Sequence, residues 1–161
     1  NDPIERAERQ RADHQLADRV EDIGVEAFID EWMASALFEP MRRALDPETL
    51  ARSRRRRCHA SVTGLANSLR GTGTGSMPPI WNALPGLRSP LLAIAGSLDP
   101  AYIAHAERLA QSAPLGQLAT IAEAGHALPL ENPRGTAGVI AGFLEGLRDV
   151  PPPGLETTDR E

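Results

Sequence analysis

The chain has 161 residues, 41% of them apolar and only 4% aromatic, which is enough to support one domain with a core. Its formal net charge of −5 excludes the global basic field that nucleic acid or an anionic membrane surface would call for, so neither is an expected partner. All 17 basic residues are arginine, which excludes a Schiff-base lysine and a lysine-bearing phosphate loop. The single Cys58 rules out an internal disulfide framework and a cysteine-cluster metal site. No apolar run approaches the roughly 20 residues that span a bilayer, and the first residues are charged rather than signal-like; a cytoplasmic protein is the expectation.

Asp2-Pro3 is a helix start, an N-cap followed by proline at the first helical position. The helix that follows is highly charged, with a narrow apolar stripe of Ile4, Ala7, Leu16 and Val20. Val25, Phe28, Ile29, Trp32 and Met33 then recur at helical spacing and predict a second, clearly amphipathic helix, closed by Leu37-Phe38 and Pro40. Asp46-Pro47 starts another helix, carrying Arg52 and the run Arg54-Arg55-Arg56-Arg57. A further helix over about 62–70 presents Val62, Leu65, Ala66 and Leu69, and the Gly71-to-Ser76 stretch ends it. With no strand interposed up to Leu84, residues 1–84 read as a helical cap laid over the ends of a sheet.

The centre of the chemistry comes next. Pro90 leads into Leu91-Leu92-Ala93-Ile94-Ala95, a short strand buried on both faces, which leaves through Gly96 and delivers Asp99 at its C-terminal end. Open α/β sheets bind and react at such ends. A helix over about 102–112 and a strand over 117–122 follow, so the chain returns to the same sheet edge with Glu123-Ala124-Gly125-His126. An acid and a histidine on neighbouring strand ends have the order of a triad in which the carboxylate fixes the imidazole and the imidazole acts as base. Glu131-Asn132-Pro133 starts a final helix to about Arg148. Residues 85–150 thus form the α/β segment, and 151–161, opening with three prolines, are expected to be disordered.

Each signal has a plainer reading. Gly71-Thr72-Gly73-Thr74-Gly75 follows a helix rather than a strand and lacks a Gly-Lys-Ser/Thr continuation, so it is read as a turn shaping a cap hinge rather than a phosphate cradle. The arginine run is a solvated face or a carboxylate-binding feature. Consecutive helical residues point about 100° apart, so at most one or two of Arg54 to Arg57 can face a pocket. Trp32 suits a core as well as a substrate contact, and Asp99 alone could be no more than the N-cap before Pro100.

Taken together, Arg6-Ala7-Glu8-Arg9-Gln10-Arg11, Phe28-Ile29-Asp30-Glu31-Trp32, the Gly64-to-Gly75 stretch with Trp81 beyond it, Gly96 to Asp99 and Ala124 to His126 resemble the 2-succinyl-6-hydroxy-2,4-cyclohexadiene-1-carboxylate synthases of menaquinone biosynthesis, members of the α/β-hydrolase superfamily. The likeness runs from about Ile4 to Leu147. It implies a lyase on a hydrolase scaffold: a Ser-Asp-His triad abstracts a proton from an enolpyruvyl cyclohexene substrate and pyruvate is eliminated, with no metal or organic cofactor. By resemblance, Asp99 is the triad acid, His126 its base, and Arg9, Trp32 and Arg57 bind a small polycarboxylate substrate, for which arginine's planar fork is suited.

No Gly-x-Ser-x-Gly elbow occurs in the chain, which opens on Asn1. The expectation is therefore the C-terminal part of an α/β-hydrolase fold, its last two parallel strands with flanking helices plus a helical cap, with the nucleophile in a missing N-terminal half and the piece inactive alone. Two alternatives stand beside it, a generic ester or carbon–carbon bond hydrolase and a non-catalytic remnant or interaction module.

Overall fold

The computed structural model describes residues 2–147; the segment expected to be disordered lies outside the described residues. The chain divides into two compact units, one running to Ile80 and the other starting at Trp81.

In the first unit, α1 spans Pro3–Ala34, and the Asp2 carboxylate accepts from the Ile4 amide at 2.8 Å. The two helices expected here form one run broken at Gly24, whose φ of 79° and ψ of 165° lie outside what other residues adopt without strain. Arg19 and Glu31 straddle the break, the guanidinium donating to both carboxylate oxygens at 3.1 and 2.5 Å. A 3-10 turn, Ala36–Phe38, and the short helix α2, Glu39–Ala44, follow where the sequence had suggested only a closing turn. Helix α3, Pro47–Arg57, is capped by Asp46 accepting from the Thr49 amide at 2.8 Å; α4, Val62–Thr72, is capped by Ser61.

Helix α4 lies along α1. Val20, Val25, Phe28 and Ile29 are buried with Leu65 and Leu69 packed against them, each large aliphatic or aromatic side chain contributing about 1.5–3 kcal/mol of hydrophobic stabilisation. Arg70 closes the pair with ionic hydrogen bonds to Asp18 at 2.6 Å and Glu21 at 2.7 Å. The buried side of the first half of α1 is Asp13, Ala17 and Val20, whereas Ile4, placed on the apolar stripe above, is exposed. The glycine stretch after α4 covers Asp13. A Cβ on Gly75 would stand 2.3 Å from the Gln10 amide nitrogen, and one on Gly73 would stand 2.5 Å from Asp13 Oδ2. These glycines bring backbone against α1, a close approach that any side chain would block.

In the second unit, β1, Leu91–Gly96, pairs in parallel with β2, Gly116–Ile121, in a register running from Leu91 opposite Gly116 to Gly96 opposite Ile121. Helix α5, Pro100–Ser112, makes the crossover and packs on β1 through small side chains, Ala106 against Ala93 and Ala95. Helix α6, Leu128–Glu131, is a single turn that the sequence reading merged into the loop; α7, Pro133–Gly146, begins at Asn132, whose Oδ1 accepts from the Gly135 amide at 2.8 Å. Among the described residues no helix is long and apolar enough to cross a membrane.

Candidate active site

Past its last paired residue, β1 continues against the loop that leaves β2. The Ser97 amide donates to Ile121 O and the Leu98 amide to Ala124 O, each at 2.9 Å. Gly96 is buried beneath that loop; a Cβ there would stand 2.2 Å from Ala124 O and 2.3 Å from Gly125 O. The close approach brings Asp99 and His126 together, with His126 Nδ1 3.0 Å from Asp99 Oδ2.

Asp99 is also the N-cap of α5, its other oxygen accepting from the Tyr102 amide at 3.3 Å. One carboxylate oxygen thus serves the helix start and the other meets the imidazole. The Asp99 side chain is 9% exposed and that of His126 28%, so the bond is shielded while the ring remains reachable. With Asp99 accepting, the neutral ring carries its proton on Nδ1 and keeps its lone pair on Nε2, the arrangement of a general base. Tyr102 stands edge-on to the imidazole with ring centroids 4.4 Å apart, and His105 stands edge-on to Tyr102 at 5.8 Å. The sequence reading did not single out Tyr102, although its position three residues after an N-cap aspartate on a helix start was legible.

The three residues expected to bind substrate, Arg9, Trp32 and Arg57, lie in the first unit. Trp32 stacks on Phe28 at 6.0 Å with 20° between the rings and meets Phe38 at 6.0 Å and 56°. It lines a largely apolar recess of about 280 Å³ together with Phe28, Ile29, Leu65, Leu69 and Arg57. Arg57 is the one member of the arginine run on that recess; its guanidinium is tied back to the Ser53 carbonyl at 3.2 Å and to the Ser53 hydroxyl. Arg54 instead forks onto Asp30 at 2.6 and 2.8 Å. That hydrogen-bonded pairing holds the Asp30 carboxyl below its ordinary range and raises the Arg54 guanidinium. Arg55 and Arg56 are exposed.

Arg9 is not among the residues lining the recess. Its half-exposed guanidinium donates to Asp13 Oδ1 at 2.7 Å, and the Asp13 side chain is only 2% exposed. The Gly75 amide lies 3.4 Å from the other Asp13 oxygen. A buried carboxylate is costly unless paired, so Asp13 fixes where Arg9 points. Asp13 was missed because it sits amid a charged helix that reads as solvated. Thus Asp99 meets His126, Trp32 meets Arg57 across one recess, and Arg9 stands on a separate support. Among the described residues no group of three or more His, Cys, Asp or Glu side chains gathers as a metal site would require.

No family model matches the chain. Over 143 residues, 89% of the chain, it is 34% identical to a Bacillus subtilis (strain 168) protein assigned as 2-succinyl-6-hydroxy-2,4-cyclohexadiene-1-carboxylate synthase, covering 52% of that protein. It is 27% identical over 151 residues to PHYLLO, a chloroplastic protein of Arabidopsis thaliana, covering 9% of it. Among solved structures, MenH from S. aureus superposes with a TM-score of 0.87 at 29% identity, over 92% of this chain and 56% of that one. A thermophilic esterase from Thermogutta terrifontis, solved with malate bound, superposes with a TM-score of 0.74 at 25% identity, over 87% of this chain and 51% of that one. The chain therefore spans about half the length of the Bacillus relative and of both solved structures. In sequence it is similar to about half of that Bacillus protein, and its fold matches about half of an α/β-hydrolase fold.

Proposed function

We propose that the chain supplies the acid, the base and the substrate-binding cap of a synthase that eliminates pyruvate from an enolpyruvyl-succinyl-cyclohexene carboxylate. The observation that carries this reading is the Asp99–His126 bond of 3.0 Å beyond the C-terminal end of β1, in a chain 34% identical to a protein assigned as such a synthase. Asp99 holds the ring with Nδ1 protonated, and Nε2 takes the proton of a serine hydroxyl. The serine in turn removes the substrate proton whose loss expels pyruvate. Because no Gly-x-Ser-x-Gly elbow occurs in these 161 residues, the reading assigns the serine to sequence beyond them. No metal or organic cofactor has a part in it.

The cap arginines answer to the substrate's carboxylates. Arg57 beside the apolar wall of Trp32 suits a ligand with an apolar ring and an anionic edge, and Arg9, steadied by Asp13, offers a second guanidinium. A charge-assisted hydrogen bond is worth about 1.5–3 kcal/mol, so Arg9→Ala or Arg57→Ala should lower kcat/KM for the polycarboxylate roughly 10- to 100-fold. Hydrolysis of a small neutral ester by the same protein should change far less. Equal losses on both substrates would sink the carboxylate-clamp reading. They would favour a second one, an ester or carbon–carbon bond hydrolase, which the likeness to the thermophilic esterase supports.

A further inference from the structure

The last residue of α6 turns its side chain back over the loop it follows. Glu131 Oε2 accepts from the Gly125 amide at 2.5 Å, and Oε1 accepts from the Ala127 amide at 2.8 Å. These two residues flank His126. Ala127 is the N-cap of α6, so half of the contact satisfies the amide at that helix start, as the returning arm of a capping box does from one residue earlier. The other half reaches past the histidine to the residue before it, which capping alone does not require.

The neighbouring side chain takes hold of the opposite end of the loop. Asn132 Nδ2 donates to the Ala122 carbonyl at 3.2 Å. Between these anchors Glu123 adopts φ 55°, a left-handed conformation uncommon outside glycine, with its amide donated to Ser97 Oγ at 2.9 Å. Strain of that kind persists only where the surroundings hold the chain in place. A carboxylate matches the task, since it offers two acceptor oxygens and no donor to two amides that both donate; a glutamine would offer one of each.

We infer that Glu131 is a positioning residue for His126: by gripping the amides on both sides of the histidine it sets the ring at bonding distance from Asp99. A link to turnover rests on the reading of His126 as the base, whereas the ring's placement does not, so the two can fail separately.

The test uses the protein carrying this chain, with its histidines labelled with nitrogen-15, and reads the tautomer of neutral His126 by NMR. In the native sequence the Nδ1–H form dominates. In Glu131→Ala the ratio of Nδ1–H to Nε2–H falls at least about fivefold, the equivalent of one ordinary hydrogen bond, with Glu131→Gln falling between. The His105 signals, from the adjoining helix, stay in place and report that the unit is folded. Where Glu131→Ala loses them, Glu131→Gln, nearest in shape, carries the decision. A His126 ratio within about twofold of native in folded variants overturns the inference. If the tautomer shifts but His126→Ala leaves turnover whole, the positioning role stands and the base reading falls.

Discussion

Replacing Gly96 by alanine tests how closely the strand end and the histidine loop depend on each other. Gly96 has no left-handed φ, so an alanine backbone fits and the cost is one of space. The added carbon would stand 2.2 Å from Ala124 O and 2.3 Å from Gly125 O, against an ordinary carbon–oxygen approach of about 3.3 Å. One side must retreat by about 1 Å. Ala124 O is bonded to the Leu98 amide at 2.9 Å, so retreat breaks a contact that joins β1's extension to the loop bearing His126. Overpacking of this size costs about 1–3 kcal/mol, read by chemical denaturation. A displacement of about 1 Å in a reacting group costs about 100-fold in turnover, so kcat should fall far more than the lost stability alone would lower the amount of folded protein. Retention of full turnover with less than about 0.5 kcal/mol of destabilisation would refute the argument.

Two further outcomes follow from the first unit. Gly24→Ala meets no atom within 4 Å, so its cost is conformational, about 1–3 kcal/mol for a residue forced to φ 79° and ψ 165°; unchanged stability would mean that the break straightens into helix. Hydrogen bonds from Arg70, Arg54 and Arg19 hold Glu21, Asp30 and Glu31 respectively below their ordinary carboxyl values of 4.5, 3.8 and 4.5. A lowered folded-state value means that the unfolded chain binds protons first. The stabilisation is therefore present above the ordinary values and is lost as pH falls through the folded-state ones. The melting temperature should hold from neutral pH to about 5 and drop below about 4, with a shallower drop for Arg70→Ala or in high salt, since these pairs are exposed. A melting temperature that rises on acidification contradicts the assignment.

What could be read in advance was what local chemistry announces. Asp2-Pro3, Asp46-Pro47, Asp99-Pro100 and Asn132-Pro133 each open a helix with a side-chain cap, because an Asx oxygen and a proline ring satisfy the same orphan-donor problem wherever they occur. The strand before Asp99 and the return to His126 were legible from one apolar run and one αβ unit, although only Ala93, Ala95 and Gly96 of that strand are buried and Leu92 and Ile94 are partly exposed rather than buried on a second face. Asp13 was not, since its burial depends on Gly73 and Gly75, some 60 residues away in sequence. Nor was the grip of Glu131, whose partners are backbone amides that every residue but proline possesses. Four successive arginines look alike as letters. Only the packing of α3 on α1 sends Arg54 to Asp30 and Arg57 to the recess.

The two oxygens of Asp99 divide between a helix start and a histidine, so on the proposed reading of His126 as the base, stability and activity are genetically inseparable at that position for most replacements. Alanine would remove both contacts, so a survey of variants by abundance and one by turnover would each score the site as essential for reasons the other could not see. Asparagine alone can part them. Its carbonyl can still cap α5, while its amide group, turned toward Nδ1, favours the opposite tautomer of the ring. Selection acting on growth would register position 99 as a single constraint, although two unrelated physical demands have converged on one carboxylate.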